Sequence, residues 1–600
     1  YAHEFINSPD RLTTPLIKKD GKFVEATWDE AYDLIAEKFA SYKPGETACL
    51  SSARVSNEEN YLMMKFARAV LKTPHIDHCA RLCHASTVAG LAASFGSGAM
   101  TNSILDIAEA RCLFVLGSNT FEQHPLIGRK IVQAKQNGAK IIYADPRYTP
   151  TARQADLYMP FVSGADVAIL NGLMQEIIKN GWEDREFIAG RTKDYEKLKE
   201  VVMEETYSLE NVSQISGIPV ESLKQAAEWL GTNKPGAILY SMGITQHTVG
   251  VDNVRSVANI QMLLGNLGRP GSGVNPLRDQ NNMQGACDMG ALPDVYSGYQ
   301  KVTDEAARKK FMDAWGVDIA EGEVGYTVTE LMNVLADNPG EIKGLYIMGE
   351  NPMLSCPDLH HVEKGLRNVE FMVVQDIFMT ETAERADIVL PAACYAEKDG
   401  TQTNTERRVQ RWRKAQEPPG EVKEDWQIIC ELGAKMGYAE QFAYKNPEEV
   451  FNEIAAVTPS YHGMSYERLD PDGLQWPCPT EEHPGTPILH REWFSNPDGL
   501  GIFAPIEWKP PAEVPDAEYP FVLTTGGVIW QWQTGTMTRR SWDLEREAPT
   551  GWIEINPEDA QALGIKNKEM VRASTRRGFV DVPAKVTPDI MKGVMFMPFH

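Results

Sequence analysis

Short, unbroken apolar runs alternate with amphipathic stretches along most of the chain, a pattern that predicts parallel β-sheets covered by helices. Cys112–Leu116 (CLFVL) reads as a strand buried on both faces. A turn, a helix near Leu126–Gln136 and a second strand at Lys140–Ala144 follow it. No segment is low in complexity. The proline-rich stretch Trp508–Pro520 (WKPPAEVPDAEYP) reads as a linker. Beyond it the pattern turns to β, with strands predicted at Phe521–Thr525, Trp552–Ile555, Met570–Thr575 and Val594–Pro598. These are expected to form a separate barrel-like domain that is cut short.

The apolar runs also carry an internal repeat. One copy runs Phe114-Val-Leu-Gly117-Ser-Asn119, then Asp145, then Asp156, then Pro160. The other runs Tyr346-Ile-Met-Gly349-Glu-Asn351, then Asp376, then Asp387, then Pro391. Glycine to first aspartate is 28 residues in one copy and 27 in the other, and the next intervals are 11 and 4 in both. Each copy reads as a strand, a Gly-x-Asn turn, a helix and a second strand ending in an acid. In α/β sheets such a turn brings backbone N–H groups to phosphates, and the later carboxylate reads a sugar or base. Guanine presents two adjacent N–H donors that Asp145 or Asp376 can accept bidentately. Helix capping is the plainer role for either acid alone, since neither turn has the full GxGxxG fingerprint. Two copies in register favour two nucleotide moieties.

Composition narrows the partners. A chain of 600 residues suggests about four domains at roughly 150 residues each. The 59 basic and 83 acidic residues give a net charge of −24, and no stretch gathers the lysines and arginines that a nucleic acid partner would require. No apolar run reaches the roughly 18 residues of a membrane span, and no leader is visible. The chain starts at Tyr1 without a methionine and stops in a strand-like segment, so a longer polypeptide is expected. Nine scattered cysteines without a CxxC pair argue for a reducing compartment and against a disulfide framework, a zinc ribbon or a local iron–sulfur motif.

Three segments carry candidate chemistry. His78-Cys79-Ala-Arg81-Leu-Cys83-His84 precedes a helix-like run, Thr87–Ser94. A thiolate at a helix start beside a basic residue is a soft metal ligand; two ligands of one site, or buried thiols, are the alternatives. Asn275–Gly290 (NPLRDQNNMQGACDMG) is dense in amides and reads as a loop facing something polar. In it Arg278 offers a bidentate fork for a small carboxylate, the alternative being an exposed asparagine-rich turn. Thr524–Gly527 and Gln533–Thr538 bring small hydroxyls and glycines that suit phosphates or a pterin edge.

Together these segments resemble the molybdopterin oxidoreductases that bind two molybdopterin guanine dinucleotides, over nearly the whole chain. Within them the chain is similar to cytoplasmic formate dehydrogenases, above all the α-subunit type of methanogens that serves a deazaflavin coenzyme. The resemblance runs from Tyr1–Leu12 and Trp28–Ala31 through Cys79–His84 and Asn275–Gly290. It continues in Ile347–Pro352, Val374–Thr380 and Glu397–Arg408. It implies an α/β, multi-domain fold with two related nucleotide-binding parallel-sheet lobes and a C-terminal double-psi, β-barrel-like domain, truncated at both ends. The implied division is 1–78 with 281–400 as one lobe, 79–280 as the other, 401–510 as a connecting α/β region, and 511–600 as the incomplete pterin-binding domain.

By the same resemblance Cys83 is the protein ligand to molybdenum or tungsten, and His84 and Arg278 are the other catalytic residues. Asp145 and Asp376 bind the two guanines. Further cofactor contacts are implied at Gly117, Asn119, Glu122, Arg147, Gly164, Asp166, Met242, Gly243, Gln246, Gln280, Gly349, Glu350, Asn351, Gln375, Thr380, Thr525, Thr534, Gly535 and Thr538. Arg278 would anchor formate, CO₂ would leave, and His84, ordinarily titrating near 6.5, would stabilise charge or take a proton. A 4Fe–4S cluster is expected from an N-terminal segment outside this sequence. Electrons would pass to a flavin and iron–sulfur β-subunit that reduces a deazaflavin or NAD, in the cytoplasm, either as a pair of subunits or within a larger electron-transfer complex. A nitrate or other oxyanion reductase is the nearest rival, and a silent complex I-type electron-transfer subunit a more distant one. Cys83, His84 and Arg278 occurring together favour formate.

Overall fold

The computed structural model describes residues 3–600. They fall into two compact units, one built from Cys83–Asp279 with Pro487–His600, the other from His3–Leu82 with Gln280–Thr486.

The first unit is organised on a five-stranded, all-parallel sheet. Its strand order is Gly273–Pro276, Gly236–Tyr240, Cys112–Leu116, Lys140–Ala144, Leu157–Met159. Apolar runs without alternation make such strands because both faces are covered. Cys112, Phe114 and Leu116 enter one core with Ile169, Leu173, Val257 and Ile260, whereas Leu113 and Val115 enter the other with Ile127 and Ile131. The predicted helix is Pro125–Gln136, opened by a proline at its first position.

Val522–Gly526, Val594–Pro598, Ile553–Ile555, Gly578–Val586 and Met570–Thr575 form a mixed five-stranded sheet at the C-terminal end. Gly578–Val586 escapes the periodicity analysis because its first residues are exposed on both faces and Pro583 interrupts it. The linker Trp508–Pro520 is irregular, and Arg576 at the hairpin tip pairs with its Glu513 and Asp516.

The second unit centres on a seven-stranded sheet. The order is Lys22–Glu25, Leu16–Lys19, Ile388–Pro391, Phe371–Asp376, Gly344–Met348, Thr47–Ser51, Ile76–His78. Five strands are parallel, and the first two form an antiparallel edge hairpin. Leu50, Leu345, Ile347, Met372 and Val374 pack against Val328–Asp337 and Leu359–Asn368. Among the described residues no helix is long and apolar enough to cross a membrane.

The internal repeat is built the same way twice, once in each unit. The N–H groups of Gly117 and Gly349 donate to the carbonyls of Ala144 and Gln375, at 3.0 and 2.8 Å. Asp156 and Asp387 accept from the N–H of Ile141 and Met372, at 2.9 and 2.8 Å. The hydroxyls of Thr151 and Thr382 reach back to the side-chain oxygens of Asn119 and Asn351, at 3.5 and 2.6 Å. Removing either acid strips a strand-opening N–H of its partner. Asp156→Ala and Asp387→Ala are therefore each expected to lower stability by about 1 kcal/mol. Urea unfolding followed by tryptophan fluorescence checks this, and a change in one variant alone would break the equivalence.

Candidate active site

In the first unit one row of paired residues, Pro276–Tyr240–Leu116–Ala144, sets the geometry. Each chain leaves the sheet just beyond it, into Leu277, Ser241, Gly117 and Asp145. Gly117 takes φ +56°, and its backbone touches that of Gly243, whose N–H donates to Gly117 O at 3.1 Å. A Cβ on Gly243 would lie 2.6 Å from Gly117 Cα, so both positions need glycine.

Beside this contact is a cavity of about 320 Å³. Its walls include Gly117, Asn119, Asp145, Arg147, Asp166, Met242, Gly243, Gln246 and Thr525. The Asp145 carboxylate accepts from Arg147 N–H at 2.9 Å, and burial pushes its carboxyl up to about 6. Asp166 is buried, with both side-chain oxygens lacking a hydrogen-bond partner among the described residues. Burial raises its carboxyl, and His247 opposes the shift. Arg147 turns toward the C-terminal sheet, pairing with Glu554 at 3.1 Å and lying 3.4 Å over the Phe596 ring.

Cys83 ends a single helical turn, Ala80–Cys83, and His84 caps the next helix, Ala85–Phe95. Cys83 is buried, and its carbonyl accepts from the Thr245 hydroxyl, three residues beyond Met242. His84 is wholly buried between Leu277 O (3.0 Å from Nε2) and Thr87 Oγ1 (3.0 Å from Nδ1). A carbonyl only accepts, so Nε2 carries the hydrogen and Nδ1 is the acceptor. Burial, reinforced by the Arg278 guanidinium, pushes His84 down to about 3. The imidazole is therefore neutral at pH 7, its basicity well below the ordinary value near 6.5. Arg278 is also buried and donates to Gly98 O at 3.1 Å.

The second unit holds Gly349, Glu350, Asn351, Gln375, Asp376, Thr380 and Gln280. Asp376 accepts from the N–H groups of Ile377 and Phe378, at 2.6 and 3.3 Å. Glu350 accepts from Cys79 N–H at 2.6 Å, and burial pushes its carboxyl up to about 8. The Cys79 thiol, partly buried, is raised by desolvation and by Glu350, which keeps it protonated. Gln375 is wholly buried, and its two ends are taken by Tyr346 and Asp425, which joins it to the Lys398–Glu59 pair. It braces the strand end from inside. Thr380 accepts from Ala383 N–H and opens the short turn after the strand.

The amide-rich segment is not the loop that its composition suggests. It holds a strand, Gly273–Pro276, and a helix, Met283–Asp288. Asn282 and Gln284 are buried, and Asp288 collects donors from Gln284, Tyr299, Tyr461 and Trp476 at 2.6–2.9 Å. Tertiary bonds to Asn282 and Asp288 hold the segment, which overrides its weak helix preference.

Glu122 bonds Asn119, and Gly164 backs onto Pro511 and Trp508 of the linker. The Thr538 hydroxyl bonds Gln531, Gly535 N–H donates to Trp532 O, and Thr534 lies in the same turn. None of these five lines the cavity. His247 and Asp279 do, and sequence reasoning passed over both. Asp279 was within reach, since it follows Arg278 directly.

The donors suit a guanine nucleotide: a carboxylate at a strand end, a second buried carboxylate with unspent acceptors, and a glycine-lined wall. Only ionised Asp145 offers guanine two acceptor oxygens. Guanosine monophosphate should therefore bind the cofactor-free protein more tightly as the pH rises through about 6, and Asp145→Asn should flatten that rise. Fluorescence competition at about pH 5 and about pH 7.5 reads it. Equal affinity at both would overturn it.

Residues 11–435 match the molybdopterin oxidoreductase family, and residues 521–600 match the molydopterin dinucleotide binding domain. F420-dependent formate dehydrogenase 1 subunit alpha of Methanococcus maripaludis is 54% identical over 600 residues, covering 100% of this chain and 88% of that protein. Formate dehydrogenase H of Escherichia coli is 40% identical, covering 100% and 85%. Acetylene hydratase from Pelobacter acetylenicus shares the fold, with a TM-score of 0.77 at 22% identity over 99% of this chain and 85% of that one. A match over most of the length and relatives of this identity place the chain in the molybdopterin oxidoreductase family.

Proposed function

We propose that this chain is the catalytic subunit of a formate dehydrogenase, in which Cys83 ligates the metal and Arg278 holds formate. The observation that carries the reading is the close tie among three buried groups. His84 follows Cys83 and hydrogen-bonds the carbonyl of Leu277, the residue before Arg278. The names of the Methanococcus and Escherichia relatives, both formate dehydrogenases, support it.

Molybdenum or tungsten held by two molybdopterin guanine dinucleotides supplies the two-electron redox chemistry when bound. Asp145 and Asp376 would hold the two guanines. Gly117, Met242, Gly243 and Gln246 would line one cofactor, and Gly349 and Asn351 the other.

Arg278, itself buried and so shielded from water, binds the formate carboxylate. A charge-assisted pair of this kind contributes about 1.5–3 kcal/mol and fixes which face of formate is presented. Oxidation releases CO₂, one proton and two electrons. His84 enters neutral, and with its basicity lowered by burial and by Arg278 it serves as a fixed polar group rather than as the proton acceptor. Through Nε2–H it also holds Leu277 in place. A 4Fe–4S cluster and a flavin and iron–sulfur β-subunit in the cytoplasm would supply the path for the electrons. That subunit would reduce a deazaflavin, in line with the F420 dependence stated in the Methanococcus relative's name, or NAD.

Metal analysis of the purified protein with formate-dependent dye reduction tests the reading, and metal-loaded protein inert to formate overturns it. Arg278→Ala should raise the formate KM and lower kcat/KM roughly tenfold or more, and unchanged kinetics would remove Arg278 from the site. Cys83→Ala should abolish turnover, and a fully active variant would exclude the thiol as ligand.

A further inference from the structure

Asp279 follows Arg278 in the chain and has no part in the chemistry assigned above. Its side chain is completely buried. One carboxylate oxygen lies 2.9 Å from His124 Nε2, and the other accepts from Gln533 Nε2 at 3.0 Å. His124 stands immediately before the helix Pro125–Gln136, and Gln533 lies in a turn between Val522–Gly526 and the helix Trp542–Glu547. A single carboxylate thus draws together two segments far apart in sequence.

The other flank of Arg278 is fixed as firmly. Leu277 N–H donates to Tyr240 O at 2.8 Å, and Leu277 O receives both His84 Nε2 at 3.0 Å and the Ser241 hydroxyl at 2.9 Å. The backbone carrying the guanidinium is therefore clamped on both sides, by carbonyl and amide bonds before it and by a carboxylate after it.

Anion binding by Arg278 alone would not put a carboxylate here. Negative charge next to an arginine that binds an anion weakens that binding, and burying the charge costs desolvation. Gln533 also takes φ +54°, a left-handed conformation that is unfavourable for a non-glycine residue, at the point where its amide meets Asp279. Both features make sense if the contact serves geometry.

We propose that Asp279 is a positioning residue for Arg278, locking the loop so that the guanidinium is aimed before the substrate carboxylate arrives. The proposal rests on the reading that Arg278 holds formate. Preorganised donors lose less freedom on binding, so the contribution falls on substrate affinity rather than on the chemical step.

The test compares metal-loaded Arg278→Ala, Asp279→Ala, Asp279→Asn and Gln533→Ala proteins by metal content, thermal midpoint and formate kinetics with an artificial dye. Asp279→Ala should load metal as the wild type does, raise the formate KM roughly tenfold, and leave kcat within about threefold. Asp279→Asn keeps an acceptor for Gln533 and should restore KM to within about threefold of wild type. Should Asp279→Ala not load metal, Gln533→Ala carries the test, because it removes one tether and should still raise KM about threefold. A wild-type KM in Asp279→Ala or, failing loading, in Gln533→Ala would overturn the proposal. So would a lowered KM in both Asp279 variants, the signature of a purely electrostatic effect. If Arg278→Ala also leaves KM unchanged, the assignment of Arg278 has failed rather than the role of Asp279.

Discussion

The register of one row across a parallel sheet decides where everything else in the first unit falls. Pro276, Tyr240, Leu116 and Ala144 lie side by side, and parallel strands all exit at the same edge. Leu277, Ser241, Gly117 and Asp145 therefore come together although they are spread over 160 residues of sequence. A shift of one residue in any strand would send its apolar side chains to the opposite core and its exit residue to the wrong height. The glycine contact between residues 117 and 243 depends on that register, and the cavity beside it depends on the glycine contact.

Much of this was legible in the sequence because the relevant signals are local or periodic. Cys112–Leu116, Lys140–Ala144, Met570–Thr575 and Val594–Pro598 were readable to the residue, since unbroken or alternating apolar runs mark strands. The repeat was visible from three intervals alone. What spacing could not reveal were contacts made by small polar side chains across long separations. Thr151 and Thr382 carry the repeat's third shared bond, yet isolated threonines give no signal. Met283–Asp288 was misread for a related reason: the donors to its Asp288 carboxylate, Tyr299, Tyr461 and Trp476, lie 11 to 188 residues away. The state of His84 was equally hidden, because it follows from burial and from the Arg278 charge rather than from any neighbour in sequence.

Buried charge is handled differently in the two units. Around His84 and Arg278 the imidazole is kept neutral, and the guanidinium charge is set beside the buried Asp279 carboxylate. In the second unit Lys398 sits between Glu59 and Asp425, and the chain of bonds ends on Gln375 at the strand edge. Such a network adds little net stability but leaves few alternative packings for the side chains it joins. Its effect is to hold the Gln375–Asp376 strand end in one position.

The discontinuity of the second unit bears on how the protein is made. Its strand Thr47–Ser51 pairs with Gly344–Met348, so nearly 300 residues must leave the ribosome before that pairing can form. At roughly 5–20 residues per second the wait is on the order of 15–60 seconds. The sheet strands of the first unit between residues 112 and 276 emerge entirely within that interval and can assemble without it. During synthesis Thr47–Ser51 can pair with Ile76–His78, but its other edge, which Gly344–Met348 later covers, stays open, the condition in which nascent chains most need protection from aggregation.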